Sequence, residues 1–417
     1  MLRLSEWLED ALLRLNQTNS LQRKEGFTRL CFSEDERKSH KEFRRLAKSL
    51  HMETREDEVG NQWALLKSPG AKRTIAFGSH LDTVIHGGAF DGVAGVAAAL
   101  ALVYKLQKNQ NQLNCNIVII AFISEESARF GLSTIGSKTI AGRVDKKKWE
   151  KLYDDQGISI KEAMEAYGIS WGTFDQAYDI PYKIDEFIEL HIEQGTQLYK
   201  RNLPIGIVKG IATPKRFKLT VKGQANHTGT TSMKERKDAL VISATLIQFI
   251  EERARKADLR NMGEIVATVS KINLSPSAIN VIPGKVELFV DLRSADESLK
   301  DAFMKDLLAY IEGLSREKKV VIEHQVFVDE EAVTLDEDIQ KRLKASCEEL
   351  GLAFLELNSG AGHDAMNMAK RFRTGMIFVP SVDRISHHPE EYTPLLFIEQ
   401  GVLLLERYLR QIEEDEE

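Results

Sequence analysis

Histidine and carboxylate side chains occur close together near residue 80. Residues 74–77 have the apolar character of a buried strand, and His80 and Asp82 follow them two positions apart. Side chains two apart in an extended chain point to the same side. Asp91 comes next, among glycines and just before an apolar helical run. An imidazole and a carboxylate brought together in this way can hold a metal ion, whereas His80 and Asp82 alone would also fit a capped turn.

Two adjacent acids, Glu125 and Glu126, follow a second apolar run at residues 115–123. Neighbouring carboxylates at the end of a buried strand repel each other unless a positive charge compensates. A metal ion bound by Glu126 would supply that charge and leave Glu125 able to accept a proton from a water molecule. A solvated surface turn is the alternative for such a pair, and the long buried strand before it makes this alternative the weaker one.

Two further histidines also follow predicted strands. His191 comes directly after residues 186–190, and His387 comes a few residues after 375–379. The carboxyl ends of parallel strands meet at one edge of an open α/β sheet, where such folds bind their ligands. The combined set suits a pair of Zn²⁺-like ions, with Asp91 best placed to bridge them. The candidate ligands are His80, Asp91, Glu126, His191 and His387.

The elements that must position these residues alternate between strands and helices, except in the middle of the chain. There, residues 216–222 alternate apolar and polar side chains, the period of a half-exposed antiparallel strand. The order that follows is helix, two strands and helix, which is an α+β plan. We therefore expect an α/β fold with a mostly parallel sheet flanked by helices, plus an inserted α+β domain. The predicted domains are a catalytic domain of residues 1–212 and 328–417, and an inserted domain of residues 213–327.

Length and composition exclude several classes of function. The chain has 417 residues, is 42% hydrophobic and carries a net charge of -6 at pH 7 that is spread along the sequence. It is long enough to bury a large core, and we expect neither nucleic-acid binding nor a membrane segment. The charged N-terminal residues do not predict a secretory signal. Cys31, Cys115 and Cys347 are widely spaced, and we expect reduced, buried thiols in a cytoplasmic protein.

Seven short segments extend the pattern beyond the candidate ligands. They are GSHLDT at 78–83, EE at 125–126, ELHIEQG at 189–195, NHTGTT at 226–231, INVIPG at 279–284, SGAGHD at 359–364 and SHHP at 386–389. In this order, over essentially the whole chain, they resemble the amidase branch of the M20 metallopeptidase-like family. That branch contains N-carbamoyl-L-amino-acid hydrolases and allantoate amidohydrolases. His191 is the most discriminating residue, because peptidases and deacylases of the family usually carry an acid there.

The resemblance implies a di-metal, phosphorylase/hydrolase-like catalytic domain and a lid or dimerisation domain. It implies two divalent ions per subunit, with Zn²⁺ expected first and Mn²⁺, Co²⁺ or Ni²⁺ as alternatives. Glu125 would be the general acid/base, and Asp82 would fix the tautomer of a ligand imidazole. His388 occupies the variable position of its motif and is expected to be a bystander. The implied ligands are His80 and His191 for one ion, Glu126 and His387 for the other, and Asp91 between them.

The resemblance also implies residues that bind the substrate. Arg293 is suited to bidentate capture of a carboxylate, although an arginine in a strand also commonly reaches to solvent. His227 would additionally stabilise the oxyanion, and no individual role can be derived for His363. The implied substrate-binding residues are Gln194, His227, Asn280, Arg293, Gly360 and His363.

The expected reaction is hydrolysis of the ureido C–N bond of an N-carbamoyl-L-amino acid or of allantoate, with release of ammonia and carbon dioxide. A small ureido substrate bearing a carboxylate and a homodimer through residues 213–327 are implied as partners. Whether His227 acts in its own chain's site or in its partner's is left open. Two other functions remain: a deacylase or peptidase acting on N-acyl amino acids or dipeptides, and a binding protein without activity. His191 argues against the first, and the complete set of ligands and base argues against the second.

Overall fold

The structure is a computed structural model that describes residues 2–109, 113–261 and 265–414. The chain forms two compact units, each described by itself. Unit 1 consists of Met1–Lys209, Leu335–Leu357 and His363–Glu417, and unit 2 consists of Gly210–Thr334 and Asn358–Gly362. The boundaries expected from the sequence pattern, at 213 and 327, both fall within unit 2.

The strands and helices of both units are numbered here in chain order. The strands are β1 (Glu53–Glu56), β2 (Gln62–Leu66), β3 (Arg73–His80), β4 (Cys115–Phe122), β5 (Glu186–Ile192), β6 (Ile205–Ile211), β7 (Thr213–Lys222), β8 (Asn226–His227), β9 (Ile265–Ser275), β10 (Val281–Ile282), β11 (Lys285–Ser294), β12 (Val321–Asp329), β13 (Val333–Thr334), β14 (Phe354–Ser359) and β15 (Arg373–Val379). The helices are α1 (Leu4–Leu15), α2 (Glu34–Ser49), α3 (Val93–Lys108), α4 (Ile135–Ile140), α5 (Lys146–Trp149), α6 (Ile160–Tyr167), α7 (Gln197–Arg201), α8 (Ala239–Asn261), α9 (Glu297–Lys318), α10 (Glu337–Glu349), α11 (Asp364–Met368) and α12 (Leu395–Glu414). Short 3₁₀ helices lie at Phe174–Tyr178 and Val382–Arg384.

The sheet of unit 1 has the strand order β1-β2-β4-β3-β5-β15-β6, with β14 also paired to β6. Its four central strands, β4, β3, β5 and β15, run parallel. Nearly every residue of β3, β4 and β5 is buried, as expected for parallel strands covered on both faces. Because these strands are parallel, their carboxyl ends meet at one edge of the sheet. The α/β fold class predicted from the sequence is confirmed.

Unit 2 is built around a four-stranded antiparallel sheet in the order β12-β7-β11-β9. Alternate residues of β7 and β11, such as Leu219 and Leu288, are buried against α8 and α9. A small separate two-stranded antiparallel sheet pairs β8 with β10. This is the α+β plan with helices on one face that the alternation at 216–222 predicts.

The spacing of Ser33 and Glu36 predicts a capping box at the start of α2, but the box is only half formed. The Ser33 hydroxyl accepts the Glu36 N–H at 3.2 Å, as predicted. The Glu36 carboxylate, however, accepts the N–H groups of Phe32 (2.6 Å) and Ser124 (2.8 Å). The prediction was wrong because a sequence pattern shows local partners only, and Ser124 is distant in sequence.

The three cysteines are free and buried, as expected. In the part of the chain that the structure describes, none of the helices combines the length and apolar character needed to cross a membrane.

Helix α3 packs closely on the sheet because its third residue is a glycine. A Cβ atom on Gly95 would lie 2.1 Å from the Leu190 carbonyl oxygen and 2.9 Å from Ser79 Cβ. A helical glycine is normally replaced by alanine with a gain in stability, because glycine loses more backbone entropy on folding. The close contact with β5 reverses that expectation at this position.

We expect Gly95→Ala to lower the unfolding temperature, with a destabilisation of about 1–3 kcal/mol from overpacking. The matched control is Gly313→Ala in α9, where an added Cβ has no neighbour within 4 Å. That variant should leave the unfolding temperature unchanged or raise it. The expected gain in the free energy of unfolding is up to about 1 kcal/mol. Thermal unfolding followed by circular dichroism compares the two. Equal stabilisation of both variants would contradict the close packing of α3 on β5.

Candidate metal centre

His80, at the end of β3, and His191, in β5, are both buried and lie side by side with their Nε2 atoms 3.5 Å apart. His80 Nδ1 lies 3.1 Å from the Asp82 carbonyl oxygen, and His191 Nδ1 lies 3.0 Å from the Ile192 carbonyl oxygen. A carbonyl oxygen can only accept a hydrogen bond, so each Nδ1 carries a proton. In the neutral rings, both Nε2 atoms therefore direct lone pairs into the space between them.

Asp91 connects these two histidines to the other candidate ligands. Its Oδ1 lies 3.1 Å from His191 Nε2 and 3.7 Å from His80 Nε2, and its Oδ2 lies 3.0 Å from His387 Nε2. Glu126 Oε1 lies 3.2 Å from the same His387 nitrogen. The five candidate ligands thus converge as two groups that share Asp91: His80, Asp91 and His191, and Asp91, Glu126 and His387.

This donor set fits two divalent cations. Imidazole nitrogens and carboxylate oxygens are the ligands of zinc-like ions, and one carboxylate can bridge two of them. Two Nε2 lone pairs that face each other and a carboxylate need an electrophile between them, which is either a proton or a metal ion. Burial disfavours a charged imidazole, yet the surrounding carboxylates raise the pKa of His80 and His191 above its usual range. Hydrogen bonds to Asp91 and Glu126 raise the pKa of His387 to about 11.

Glu125 lies next to this group without pairing with His387. Its Oε2 is 3.9 Å from His80 Nε2, and the residue is buried. Burial raises the pKa of the Glu125 carboxyl well above its usual range, and the nearby Glu126 and Asp364 carboxylates raise it further, while His80 opposes them. A carboxyl group whose pKa is raised by its surroundings in this way is suited to proton transfer.

Asp82 grips the backbone that carries the two glutamates. Its Oδ1 accepts the Glu125 N–H at 2.9 Å and its Oδ2 accepts the Glu126 N–H at 2.8 Å. The same Oδ1 lies 3.5 Å from His80 Nδ1, farther than the carbonyl oxygen of Asp82 itself. Asp82 thus has a backbone role that the spacing His-x-Asp does not reveal, and its role in orienting a ligand imidazole stays a prediction.

Glu36 is a further residue of the site that the sequence reasoning missed. Its bond to the Ser124 N–H means that three consecutive N–H groups, at 124–126, are held by two buried carboxylates. Ser124 has φ +56°, a strained conformation for a serine, so the segment needs such fixation. The available signal was position: Glu36 shares the buried face of α2 with His40 and Phe43.

Two of the predicted substrate-binding residues lie with the ligands in unit 1. The Gln194 amide donates to Asp91 Oδ2 at 2.9 Å, from a backbone with φ +55°. The buried His363 ring packs edge-on against His191, with ring centroids 4.5 Å apart. Burial, with the nearby His191, lowers the pKa of His363 well below its usual range, so its imidazole is neutral at neutral pH.

His227 and Asn280 lie together in unit 2. His227 of β8 pairs with Val281 of β10, and the Thr228 N–H donates to the Asn280 carbonyl oxygen at 3.2 Å. His227 is exposed, and its Nδ1 accepts the Gly229 N–H at 3.0 Å. This bond places the imidazole proton on Nε2, which is therefore a hydrogen-bond donor.

Arg293 lies at the other end of the unit 2 sheet. Along β11 it lies eight residues from Lys285, which is roughly 26 Å at the rise of a strand. Lys285 is the end of β11 that follows β10, the partner of β8. Its guanidinium pairs with Asp291 at 2.9 Å. The segment with Gly360 is at this end too, since the Ser359 carbonyl oxygen accepts the Ala212 N–H at 2.7 Å. Within unit 2, Arg293 and His227 are thus not brought together.

Comparison with known proteins identifies relatives over most of the chain. A sequence model of peptidase family M20/M25/M40 matches residues 68–411. The allantoate amidohydrolase of Bacillus subtilis is 34% identical over 91% of both chains. The N-carbamoyl-L-amino acid amidohydrolase of Geobacillus stearothermophilus is 35% identical, covering 88% of this chain and 89% of its own. Among solved structures, an amidase of the hydantoinase/carbamoylase family from Burkholderia multivorans has a TM-score of 0.84 at 26% identity, covering 97% of each chain.

We expect Asp82→Asn to weaken the binding of divalent ions at least about tenfold, because one of its two N–H partners would face an amide N–H instead of an oxygen. Titration of the chelator-treated full chain with Zn²⁺ or Mn²⁺ measures this. Asp336→Asn is the control, since Asp336 also accepts two backbone N–H groups, at the start of α10. The control should keep the metal affinity of the unchanged protein. Equal affinities for both variants would contradict the role of Asp82 in fixing Glu126.

Proposed function

The chain belongs to peptidase family M20/M25/M40, and we propose that it is a metal-dependent amidohydrolase. The proposed reaction is hydrolysis of the ureido C–N bond of an N-carbamoyl-L-amino acid or of allantoate, with release of ammonia and carbon dioxide. The observation that carries the proposal is the convergence of two imidazole and carboxylate groups on Asp91, with the protonatable Glu125 beside them. The names of the relatives, an allantoate amidohydrolase and a carbamoyl-amino-acid amidohydrolase, support the type of bond.

Two divalent ions per subunit are proposed, with Zn²⁺ first and Mn²⁺, Co²⁺ or Ni²⁺ as alternatives that the same donors accept. His80 and His191 would hold one ion, Glu126 and His387 the other, and Asp91 both. When bound, such ions polarise a carbonyl group and lower the pKa of a water molecule.

Glu125 is the proposed carrier of the proton. It takes a proton from the attacking water as the water oxygen bonds to the carbonyl carbon. It then donates this proton to the leaving nitrogen as the C–N bond breaks, which returns the carboxylate to its starting state. The raised pKa of its buried carboxyl supports this role, because the group must hold the proton between the two steps.

His227 and Asn280 are the proposed donors to the oxyanion that forms at the attacked carbonyl. The proton on His227 Nε2 supports this, because an oxyanion needs a donor. Arg293 is proposed to bind the carboxylate of the substrate, with Gln194 also contacting the substrate beside Asp91. Asp291 occupies part of the Arg293 fork, and a guanidinium has five N–H groups in total. Gly360 and His363 are kept as proposed residues near the substrate, and no separate step is assigned to them.

A homodimer through residues 213–327 is proposed from the separation of these residues. His227 pairs with β10, which leads into the Lys285 end of β11, whereas Arg293 lies roughly 26 Å along β11 from Lys285, far more than the length of a small ureido acid. Two copies of the chain would allow both residues to contact one small substrate molecule. The edge strands support such an interface, because β9 and β12 expose large apolar side chains. These are Val266, Ile272, Val321 and Phe327.

The function is tested with N-carbamoyl-L-amino acids, allantoate, N-acetyl amino acids and dipeptides, assayed for release of ammonia or free amine. We expect ammonia from at least one ureido substrate, loss of activity on chelation, and recovery with one of the four metal ions. Glu125→Gln should lower kcat by about 10² to 10⁴, the usual contribution of a general base, with the bound metal unchanged. Cleavage of dipeptides without any ureido activity would replace this assignment by a peptidase. Full activity of metal-free protein would overturn the metal centre.

The shared site is tested by mixing two inactive homodimers, His227→Ala and Glu125→Gln, under conditions in which subunits exchange. A mixed dimer would contain one intact composite site, so activity should recover to about a quarter of the unchanged protein, half the dimers being mixed with one working site in two. Each homodimer incubated alone is the control. If exchange occurs without recovery, His227 acts in its own chain or outside the chemistry.

A further inference from the structure

A buried carboxylate that is not among the candidate ligands, Glu391, bonds to the backbone of two of them. Its Oε1 accepts the N–H groups of Phe90 and Asp91, both at 3.0 Å. Its Oε2 accepts the Ser386 hydroxyl at 3.0 Å and the His387 N–H at 3.3 Å. One side chain therefore connects the segment of Asp91 to the segment of His387, which are far apart in sequence.

The loop before Asp91 is shaped to admit this carboxylate. A Cβ atom on Gly88 would lie 2.2 Å from Glu391 Oε1 and 2.3 Å from Glu391 Cβ, so only a glycine allows the approach. Ser386 adds a second link, because its hydroxyl also lies 3.4 Å from Asp91 Oδ2. The four bonds use acceptor sites on both oxygens of Glu391, which leaves it occupied as a backbone clamp.

His387 is the candidate ligand that most needs such a clamp. Its side chain is 49% exposed, whereas those of His80, His191 and Asp91 are 5% exposed or less. Its backbone has φ +56°, and Asp383 and Arg384 before it are also in the left-handed region. Non-glycine residues stay in that region only where the surroundings hold them. Packing does little for an exposed ring, so the bond from the His387 N–H to Glu391 has to supply much of the fixation.

We propose that Glu391 is a positioning residue that sets the spacing between Asp91 and His387, and thereby the affinity of the Asp91–Glu126–His387 group for its ion. The proposal rests on the proposed metal centre. It assigns Glu391 no contact with the ion or the substrate. The other group, His80, Asp91 and His191, keeps two ligands that Glu391 does not touch, so the two ions should respond differently to its loss.

The test compares Glu391→Gln and Glu391→Ala with the control Glu390→Gln. Glutamine has the shape of glutamate but one oxygen, so it can keep the bonds on one side only, and alanine loses all four. Glu390 is the adjacent acid, with a side chain 75% exposed, so its replacement removes the same charge without touching the clamp. Binding of Zn²⁺ or Mn²⁺ to each chelator-treated full chain is measured by calorimetric titration, alongside the unfolding temperature and near-ultraviolet circular dichroism.

We expect two ions per chain in the unchanged protein, with the weaker-bound ion at least about tenfold weaker again in Glu391→Gln. The affinity for the tighter-bound ion should change less than the affinity for the weaker-bound ion. The loss of affinity should be larger in Glu391→Ala than in Glu391→Gln. The control should keep both affinities within about twofold, as for an exposed charge. In the activity assay, kcat should fall in Glu391→Gln while KM changes little.

Unchanged affinity for both ions in folded Glu391→Gln would overturn the proposal. A lower unfolding temperature alone would not support it, because a purely structural role would lower the unfolding temperature without changing the affinities. Should Glu391→Ala fail to fold, the isosteric glutamine variant still decides the question. If the unchanged protein binds no divalent ion, the metal centre itself fails, which is a different result from an unaltered Glu391 variant.

Discussion

The burial of many carboxylates in one region is the constraint on which the rest of this structure depends. Taking an ionised carboxylate out of water is costly unless it is paired or hydrogen-bonded. The chain meets this cost in two ways. Asp82, Glu36 and Glu391 accept hydrogen bonds from backbone N–H groups, which fixes the loops at the edge of the sheet. Asp91 and Glu126 face imidazoles instead, which leaves their charge for a cation. The first set thus fixes the backbone that positions Asp91 and Glu126, the candidate ligands of a cation.

The parallel sheet explains why residues so distant in sequence share this frame. His80 ends β3 beside Phe122 of β4, and the neighbouring parallel pair places Phe378 of β15 beside His191 of β5. A change of register by one residue would move each side chain to the opposite face. The register is secured by buried apolar strands, whose burial stabilises the fold, and by close contacts such as that of α3 with β5. Packing remote from the chemistry therefore decides where the ligand atoms lie.

The sequence was informative wherever a polar residue followed an apolar run. His80, Glu126 and His191 stand out because charged or imidazole groups are rare after buried strands, and the parallel edge then brings them together. The sequence was uninformative about contacts between side chains and distant backbone, because every residue has the same N–H group. For this reason the sequence indicates only a local cap for Glu36 and contains no signal for the contacts of Glu391. Likewise, the motifs place His227 and Arg293 in one domain but contain nothing about their separation along β11.

The division of residues between the units has a chemical consequence. Among the described residues, the groups of side chains suited to a metal ion all lie in unit 1. Of the proposed contacts to the substrate, His227, Asn280 and Arg293 lie in unit 2, whereas Gln194 and His363 lie in unit 1. The proposed metal centre and much of the proposed substrate recognition therefore draw on different units of the chain. Under the proposed function, substitutions in the β8–β10 pair or at the Arg293 end of β11 would change which amide is accepted while leaving the candidate metal ligands in place. Conversely, the clamps of unit 1 would constrain the proposed bond cleavage without specifying the rest of the substrate, and the relatives of this chain are indeed named for different ureido compounds.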